Sequence, residues 1–349
     1  MTFRSTTFVL GIVLVALMGG DGFAEAPLIV GQKFQAHDSL AIMIEAESNA
    51  DSRDCLAGLQ WPVAEFSIAC EPPKAWRYET LVRFPSAIDT GDSVNDRVAL
   101  EWHMARSATG EIITAPAVLV IHESGSKMPV GKTLAMLLSR HGLHAFMIHL
   151  PGYGERRSEV RPKGAASLIR LTRQSVIDVR RARDAIAAMP MIEGNVVALQ
   201  GTSLGGFIGS TAASLDGAFD GVFLMLCGGD LYDVLQHGKR DAENMRRQMA
   251  EEGLAGEDLR QLLHTIEPTR IAHRLRPDQT WLFSGRFDTV VPLKNANLLA
   301  ESIQLSDEHH VIYDVDHYSG VVRIPEMVTR IQTELKAIGI EKSASATQR

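Results

Sequence analysis

From about residue 117 onward, the chain alternates between short apolar runs and amphipathic segments. The apolar runs have the length of buried strands, and they predict strands at 117–121, 143–150, 195–200, 221–227, 280–283 and 310–313. The segments between them have helical periodicity and predict helices at 132–140, 165–189, 207–215, 293–303 and 322–338. Because strands that alternate with helices form a mostly parallel, doubly wound sheet, the pattern predicts an α/β fold.

The segments that flank this alternation follow other patterns. Residues 76–85 and 97–105 alternate apolar and polar positions on either side of the turn-like DTGDSVND, which predicts an N-terminal antiparallel hairpin. Residues 25–75 show no clear period, and we interpret them as an extension packed on a main domain at 76–340. The polar segment 341–349, EKSASATQR, is predicted to form a disordered tail.

A long insertion separates the strand at 221–227 from the strand at 280–283. Residues 229–276 include LYDVLQHGKRDAENMRRQMAEEGL, which is helical in pattern and highly charged. Connections of this length are uncommon between neighbouring strands of an α/β domain. We interpret the insertion as a helical cap over the carboxyl edge of the sheet, and a solvated helix pair that touches no substrate is the alternative.

Composition excludes some classes of function. The chain has 349 residues, of which 45% are hydrophobic and 22% charged, as in an ordinary globular protein. A formal net charge of -7 argues against a nucleic-acid binder, which usually carries a basic surface. The His, Cys, Asp and Glu residues show no spacing typical of a metal site, so we expect no metal and no other cofactor.

The N-terminus has the pattern of a secretory signal. Arg4 precedes the apolar stretch 8–18, and the small residues of GGDGFAEA follow it. We expect a signal peptide at 1–24 with cleavage after Ala24, and a secreted or periplasmic protein without a stable membrane span. An uncleaved anchor is the alternative, although so short an apolar stretch hardly spans a bilayer.

Export also bears on the three cysteines, since disulfides form outside the cytoplasm. Cys55 and Cys70 lie close together in the irregular N-terminal part and are the natural disulfide pair. Cys227 ends an apolar run and is predicted to be a buried free thiol. Three unpaired cysteines are the alternative.

The hexapeptide GTSLGG at 201–206 carries the strongest chemical signal. It follows the predicted strand NVVALQ and precedes a predicted helix, which is the context that G-x-S-x-G requires. Such a turn is tight enough that Gly201 and Gly205 must be small, and it projects the Ser203 hydroxyl above the sheet. A glycine-rich turn with a helix-capping serine is the alternative.

With this motif, the chain resembles an α/β-hydrolase-fold serine hydrolase over about residues 76–340. The resemblance implies an acid and then a histidine after the serine. Asp288 in SGRFDTVVP and His317 in DVDHYSG stand in those places. His317 would take the serine proton, and Asp288 would orient its ring. Asp230 is the rival acid, whereas Asp316 is too near His317 in sequence to orient the ring easily.

The resemblance also gives a role to the loop VIHESG after the strand at 117–121. It implies an oxyanion hole with backbone N–H groups from Leu204 and from this loop, where Ser124 is our choice. Glu123 replaces the usual glycine after His122, which is similar to the dienelactone-hydrolase branch. That branch uses a cysteine, and Ser203 does not match it. Glu123 and His122 are candidate supports of the loop, and a structural salt bridge is the alternative for Glu123.

The same stretch ends in Gly131-Lys132-Thr133, as a phosphate-binding loop does. That motif needs four residues between its glycines, whereas five separate Gly125 from Gly131. A loop of the wrong length would not place its N–H groups around a phosphate, so the spacing argues against a nucleotide hydrolase.

The sequence thus predicts an exported serine hydrolase that cleaves a small-molecule ester, in the manner of a carboxylesterase. A serine peptidase and a sugar-ester deacetylase are alternatives on the same fold, because the pocket sets the leaving-group preference. A non-catalytic binding protein on a hydrolase scaffold is an alternative of another class.

Overall fold

The computed structural model describes residues 29–159 and 165–347. The predicted signal peptide therefore lies outside the described residues. Within the described part of the chain, no helix is both long and apolar enough to cross a membrane.

The described residues build one ten-stranded mixed sheet with the strand order β1-β2-β3-β4-β6-β5-β7-β8-β9-β10. Pairing is antiparallel from β1 through β4 to β6, and parallel from β6 to β10. The strands are β1 (Lys33–His37), β2 (Glu65–Glu71), β3 (Thr80–Pro85), β4 (Arg97–His103), β5 (Ala115–Ile121), β6 (His144–His149), β7 (Ile192–Thr202), β8 (Val222–Met225), β9 (Thr280–Gly285) and β10 (His310–Tyr313).

Helices cover both faces of the sheet, as the alternating pattern predicts. The first core contains residues of α3, α4 and α8, and the second contains residues of α2 and α9. The helices are α1 (Ala50–Ala57), α2 (Pro129–Arg140), α3 (Ala165–Ala187), α4 (Leu204–Ala213), α5 (Leu231–His237), α6 (Asp241–Glu251), α7 (Gly256–His264), α8 (Leu293–Ile303) and α9 (Ile324–Thr347).

Strand β5 shows why the central apolar runs become strands. All seven of its residues are buried. Leu119 and Ile121 point into the first core, whereas Val118 and Val120 point into the second. Because neighbouring side chains of a strand face opposite sides, a sheet covered on both faces needs a continuous apolar run. The α/β prediction and the antiparallel hairpin, formed by β3 and β4, are confirmed.

The structure corrects two predictions at the ends of the chain. Residues 25–75 are more than an extension packed on the domain, because β1 and β2 add two antiparallel strands to the sheet. The disordered tail predicted for 341–349 is wrong over 341–347, since the α9 backbone remains helical to Thr347. The backbone of these residues continues the helix that begins at Ile324, so their polar composition does not end it.

The predicted disulfide is also wrong. Cys55 lies in α1 and Cys70 lies in β2, and both are buried free thiols. Both side chains lie in the same apolar core, but they come from different elements and form no disulfide, although they are near each other in the sequence. Burial raises the pKa of Cys55 to about 11 and that of Cys70 to about 12, which keeps both protonated. Cys227 is a buried free thiol, as predicted.

Helices α5, α6 and α7 occupy the insertion that we interpret as a cap. The cap joins the loops at the carboxyl ends of the strands, because Lys239 N–H donates to the Thr289 carbonyl at 2.7 Å. The start of α6 also contacts Tyr318, which stacks under the Arg240 guanidinium at 4.7 Å. The insertion is helical, as α5, α6 and α7 show, and its role as a cap over the site stays a prediction.

A buried ion pair fixes the loop after β6 to α3. The Arg156 side chain is fully buried and donates to Asp178 Oδ2 at 2.6 Å. It also donates to the carbonyls of Asn95 and His149, at 2.9 and 3.3 Å from Nε and Nη1. Asp178 accepts a second bond from Ser86 Oγ at 2.6 Å. Both charges are therefore neutralised by partners, as burial requires.

We expect Arg156→Ala to lower the free energy of unfolding by about 3–5 kcal/mol, because it leaves the Asp178 carboxylate buried without its cation. Urea denaturation followed by circular dichroism measures the loss. Arg157→Ala is the matched control, because Arg157 is exposed and its removal should change stability by less than about 0.5 kcal/mol. Equal losses in the two variants would contradict the assignment.

Candidate active site

The turn between β7 and α4 holds Ser203 in a strained conformation. Its φ of 51° and ψ of -114° are rare for a residue with a side chain. The Ser203 N–H donates to the Met225 carbonyl of β8 at 2.8 Å, which fixes the turn to the next strand. Strain of this kind persists only where the surroundings impose it, and it is concentrated at functional sites.

Neighbouring backbone atoms leave no room for a side chain at Gly201 or at Gly205, the two positions predicted to be small. A Cβ on Gly201 would lie 2.7 Å from the carbonyl carbon of Gly205. A Cβ on Gly205 would lie 2.7 Å from the His122 carbonyl oxygen and closer still to that of Ile121. Backbone atoms cannot give way as a flexible side chain can. Gly206, which the sequence argument did not single out, meets a similar limit against Cys227.

The structure brings Ser203, His317 and Asp288 together in one hydrogen-bonded chain. Ser203 Oγ lies 3.1 Å from His317 Nε2, and His317 Nδ1 lies 2.7 Å from Asp288 Oδ2. Residues 203 and 317 are 114 positions apart in the sequence. Ser203 and Asp288 are buried, at 8% and 7% exposure. The arrangement is one in which a histidine can accept a hydroxyl proton while a carboxylate holds its second nitrogen.

The loop after β9 orients the Asp288 carboxylate. Asp288 Oδ1 accepts the N–H groups of Val290 and Val291 at 2.8 and 2.9 Å, which leaves Oδ2 for His317. The rival acid Asp230 instead caps α5 by accepting the Asp233 N–H at 2.9 Å. Asp316 accepts N–H groups of the turn that follows His317. Of the three carboxylates weighed from the sequence, Asp288 is the one paired with His317.

Glu123 organises the loop after β5 by capping helix α2. Its two carboxylate oxygens accept the N–H groups of Val130 and Gly131 at 2.9 and 3.0 Å. A carboxylate is favoured there by the unpaired N–H groups and by the helix dipole. Glu123 thus supports the loop through a helix cap, and no ion pair of Glu123 occurs within the described residues. The same contact occupies N–H groups that a phosphate would need near Lys132.

His122 lies beneath the same loop and is fully buried. Its Nδ1 lies 2.6 Å from the Glu123 carbonyl, and its Nε2 accepts the Leu150 N–H at 3.3 Å. A carbonyl can only accept, so Nδ1 carries the proton of the neutral ring. Burial lowers the pKa of His122 to about 4, because a charged ring would lose its hydration.

The two residues predicted to form the oxyanion hole, Ser124 and Leu204, belong to two chain segments. Ser124 is exposed in the loop after β5, and Leu204 is the first residue of α4. The N–H of Leu204 has no acceptor within its own helix, because it belongs to the first turn. The contact of Gly205 with the Ile121 and His122 carbonyls brings the two segments together.

Sequence reasoning missed the contacts that the cap makes beside His317. The rings of His317 and Tyr318 meet edge to face with centroids 5.6 Å apart. Tyr318 Oη donates to Asp241 of α6 at 3.3 Å, and Arg240 lies over the Tyr318 ring. The sequence offered a signal in Tyr318, an aromatic residue directly after the candidate histidine. No group of three or more potential metal ligands forms among the residues described.

No protein-family model and no curated protein matches the chain. Solved structures do match it. The acetyl xylan esterase from Paenibacillus sp. R4 aligns with a TM-score of 0.59 at 15% identity, over 83% of this chain and 95% of that chain. Acetyl xylan esterase 1 from Thermoanaerobacterium sp. JW/SL YS485 aligns with a TM-score of 0.57 at 14% identity, over 85% and 96%. The α/β hydrolase GrgF from Penicillium sp. sh18 gives 0.50 at 14%, over 78% and 98%.

The protein has the α/β-hydrolase fold. At these identities, the likeness shows the fold alone, because one fold supports many activities. In this α/β-hydrolase fold, Ser203 sits on the turn after β7, Asp288 follows β9 and His317 follows β10. All three therefore lie beyond the carboxyl ends of parallel strands, where ligands bind in open α/β sheets.

We expect Gly201→Ala to prevent correct folding of the turn after β7, because its Cβ would overlap the backbone of Gly205. The expected loss is at least about 3 kcal/mol of unfolding free energy, or failure to accumulate as soluble protein. Gly339→Ala in α9 is the matched control, since its Cβ would meet only Pro116 at 4.0 Å. It should stabilise the helix by about 0.5–1 kcal/mol. A stable Gly201→Ala protein would contradict the packing argument.

Acidification should destabilise the protein through His122. Its folded pKa of about 4 lies below the ordinary value of 6.5, so the unfolded chain takes up this proton first as the pH falls. The stabilisation is complete above about pH 6.5 and is lost progressively towards pH 4, by about 3 kcal/mol in all. Nitrogen-15 NMR of labelled histidines measures the titration, and His122→Gln assigns the signal. A His122 signal that titrates near pH 6.5 would contradict this account.

Proposed function

We propose that the protein is a serine hydrolase that cleaves a carboxylic ester through an acyl-enzyme on Ser203. The observation that carries the proposal is the continuous chain of hydrogen bonds from Ser203 through His317 to Asp288. A serine hydroxyl is a weak nucleophile at neutral pH and needs an adjacent base. His317 Nε2 is within reach to act as that base.

In the first half of the reaction, Ser203 Oγ attacks the ester carbonyl carbon while its proton passes to His317 Nε2. The protonated ring then gives this proton to the departing alcohol oxygen, and the acyl group stays on Ser203. A water molecule repeats the sequence in the second half and releases the acid. Asp288 Oδ2 accepts the Nδ1–H throughout, which keeps Nε2 free to accept and stabilises the charged ring.

The negative oxygen of the tetrahedral intermediate needs donors. The N–H groups of Leu204 and Ser124 are our choice for this oxyanion hole. Its support is the close packing of the start of α4 against the end of β5, together with the helix N-terminus at Leu204. Glu123 and His122 hold the loop from beneath, so the donors need not reorganise during the reaction. One such donor is worth about 3–4 kcal/mol in the transition state.

For the substrate, we propose an ester with a short acyl group, and the acetyl ester of a sugar is the first to test. Two of the similar structures are acetyl xylan esterases, with TM-scores of 0.59 and 0.57. The triad chemistry requires no cofactor. We also propose that residues 1–24 direct export, so that the enzyme acts in the periplasm or outside the cell, where polymeric sugar esters are accessible.

The test is labelling by a fluorophosphonate together with turnover of p-nitrophenyl esters of rising acyl length and of acetylated xylan. We expect the protein to be labelled and to hydrolyse acetyl esters fastest. Ser203→Ala should abolish labelling and lower kcat by at least about 10⁴-fold, because the nucleophile is lost.

Ser302→Ala is the matched control. Ser302 is half-buried in α8, and its hydroxyl donates to the Leu298 carbonyl of the same helix, so labelling and turnover should persist. Folded protein that no probe labels would refute the serine mechanism and favour a binding protein on this scaffold. Labelling without ester turnover would retain Ser203 as nucleophile and move a peptidase to first place.

A further inference from the structure

A second cleft lies along helix α2, and we call it the α2 cleft. It has a volume of about 770 Å³ and is bounded by α2, the end of β4 and the segment before β3. Neither Ser203 nor His317 nor Asp288 lines it. Its size exceeds what a single small ion needs and falls in the range of ligand-binding clefts. Binding there would not depend on the chemistry at Ser203.

The α2 cleft is basic, although the whole chain carries a net charge of -7. Arg77, Lys132 and Arg140 line it, and none of them has an acidic partner within 4.0 Å among the described residues. Arg106 is paired with Glu79 at 3.4 Å, and Glu79 is the carboxylate in the wall. Cations left without partners in a concave site concentrate anions there.

His103 and Glu101, at and behind the wall of the α2 cleft, also affect its net charge. The wall residue His103 is buried, and its Nε2 lies 3.9 Å from Oε2 of Glu101. The Glu101 carboxylate also accepts from His149 Nε2 at 3.1 Å. Burial raises the pKa of Glu101, but His103, His149 and the charge of Lys132 outweigh this effect and lower the pKa to about 2, so Glu101 stays ionised behind the wall. The three unpaired cations still outnumber this one carboxylate.

Trp76 gives the cleft a flat apolar surface. Its side chain is 88% exposed, which is the highest exposure among the large hydrophobic residues described. The Arg77 guanidinium lies 5.5 Å from the centre of the Trp76 ring, within the range of a cation–π contact. An exposed indole attracts the positively polarised C–H groups of a pyranose face, because the ring face is negative.

We propose that the α2 cleft binds an acidic oligosaccharide, a sugar chain that carries carboxylates. The indole of Trp76 stacks on one sugar ring, and the cations pair with carboxylates, a geometry for which guanidinium groups are well suited. A membrane surface fits less well, because the cleft is concave and exposes one aromatic residue. A nucleic acid fits less well because of the negative charge of the chain.

The experiment is isothermal titration calorimetry of the full protein with hexagalacturonate and hexamannuronate. We expect saturable binding that weakens as salt rises to about 0.2 M, because exposed charges are screened. Trp76→Ala should raise Kd by about tenfold, since it removes the stacking surface. Lys132→Gln should raise Kd by about threefold or more, through loss of one charge-assisted contact.

The controls separate the cleft from general charge effects. Lys33→Gln removes one positive charge from an exposed residue of the edge strand β1. The Kd of this variant for the uronates should stay within about 1.5-fold of the Kd of the unchanged protein. Xylohexaose, inorganic phosphate and vesicles of anionic lipid should bind at least about tenfold more weakly than the uronates.

Three results would overturn the proposal. The first is no binding of either uronate, and the second is an equal effect of Lys33→Gln and Lys132→Gln. The third is equal or tighter binding of the neutral sugar, of phosphate or of the vesicles. Labelling of Ser203 does not enter any of these readouts, so the binding proposal and the proposed reaction succeed or fail separately.

Discussion

The structure depends on the contact of three backbone segments around Ser203. The positive φ of Ser203 is costly, and it persists because the turn is held on every side. Gly201 meets Gly205 across the turn, and Gly205 in turn rests on the carbonyls at the end of β5. The Ser203 N–H is fixed to Met225 of β8. The central strands therefore determine where the hydroxyl points, and the loops around it need only supply partners.

The loop after β5 is held in place by hydrogen bonds between polar groups. Glu123 holds the start of α2, and the neutral ring of His122 holds the Glu123 carbonyl and the Leu150 N–H. A glycine at position 123 would leave the first N–H groups of α2 without that carboxylate. The residue that departs from the family pattern thus has a physical reason in this chain. The same carboxylate occupies the N–H groups of Val130 and Gly131, directly before Lys132 and Thr133.

Prediction from sequence worked where one physical requirement dominated. Strands such as β5, buried on both faces, must be apolar throughout, and G-x-S-x-G must be small around its serine. It was less successful where the outcome depends on partners distant in sequence. Strand β1 buries only Ala36, so its pattern carries little signal, and it is a strand because β2 pairs with it. The separation of Cys55 and Cys70 also depends on such packing, because α1 and β2 bring them to the core as parts of different elements.

The cap contacts both the loop that contains Asp288 and the loop that contains His317. Gly238 has no room for a Cβ against the Val290 carbonyl, and Lys239 bonds the Thr289 carbonyl. Both carbonyls belong to the loop whose N–H groups hold the Asp288 carboxylate. On the other side, Asp241 and Arg240 engage Tyr318, whose ring packs on His317. The start of the cap is therefore fixed both to the loop of Asp288 and to the loop of His317, the acid and the base of the proposed triad.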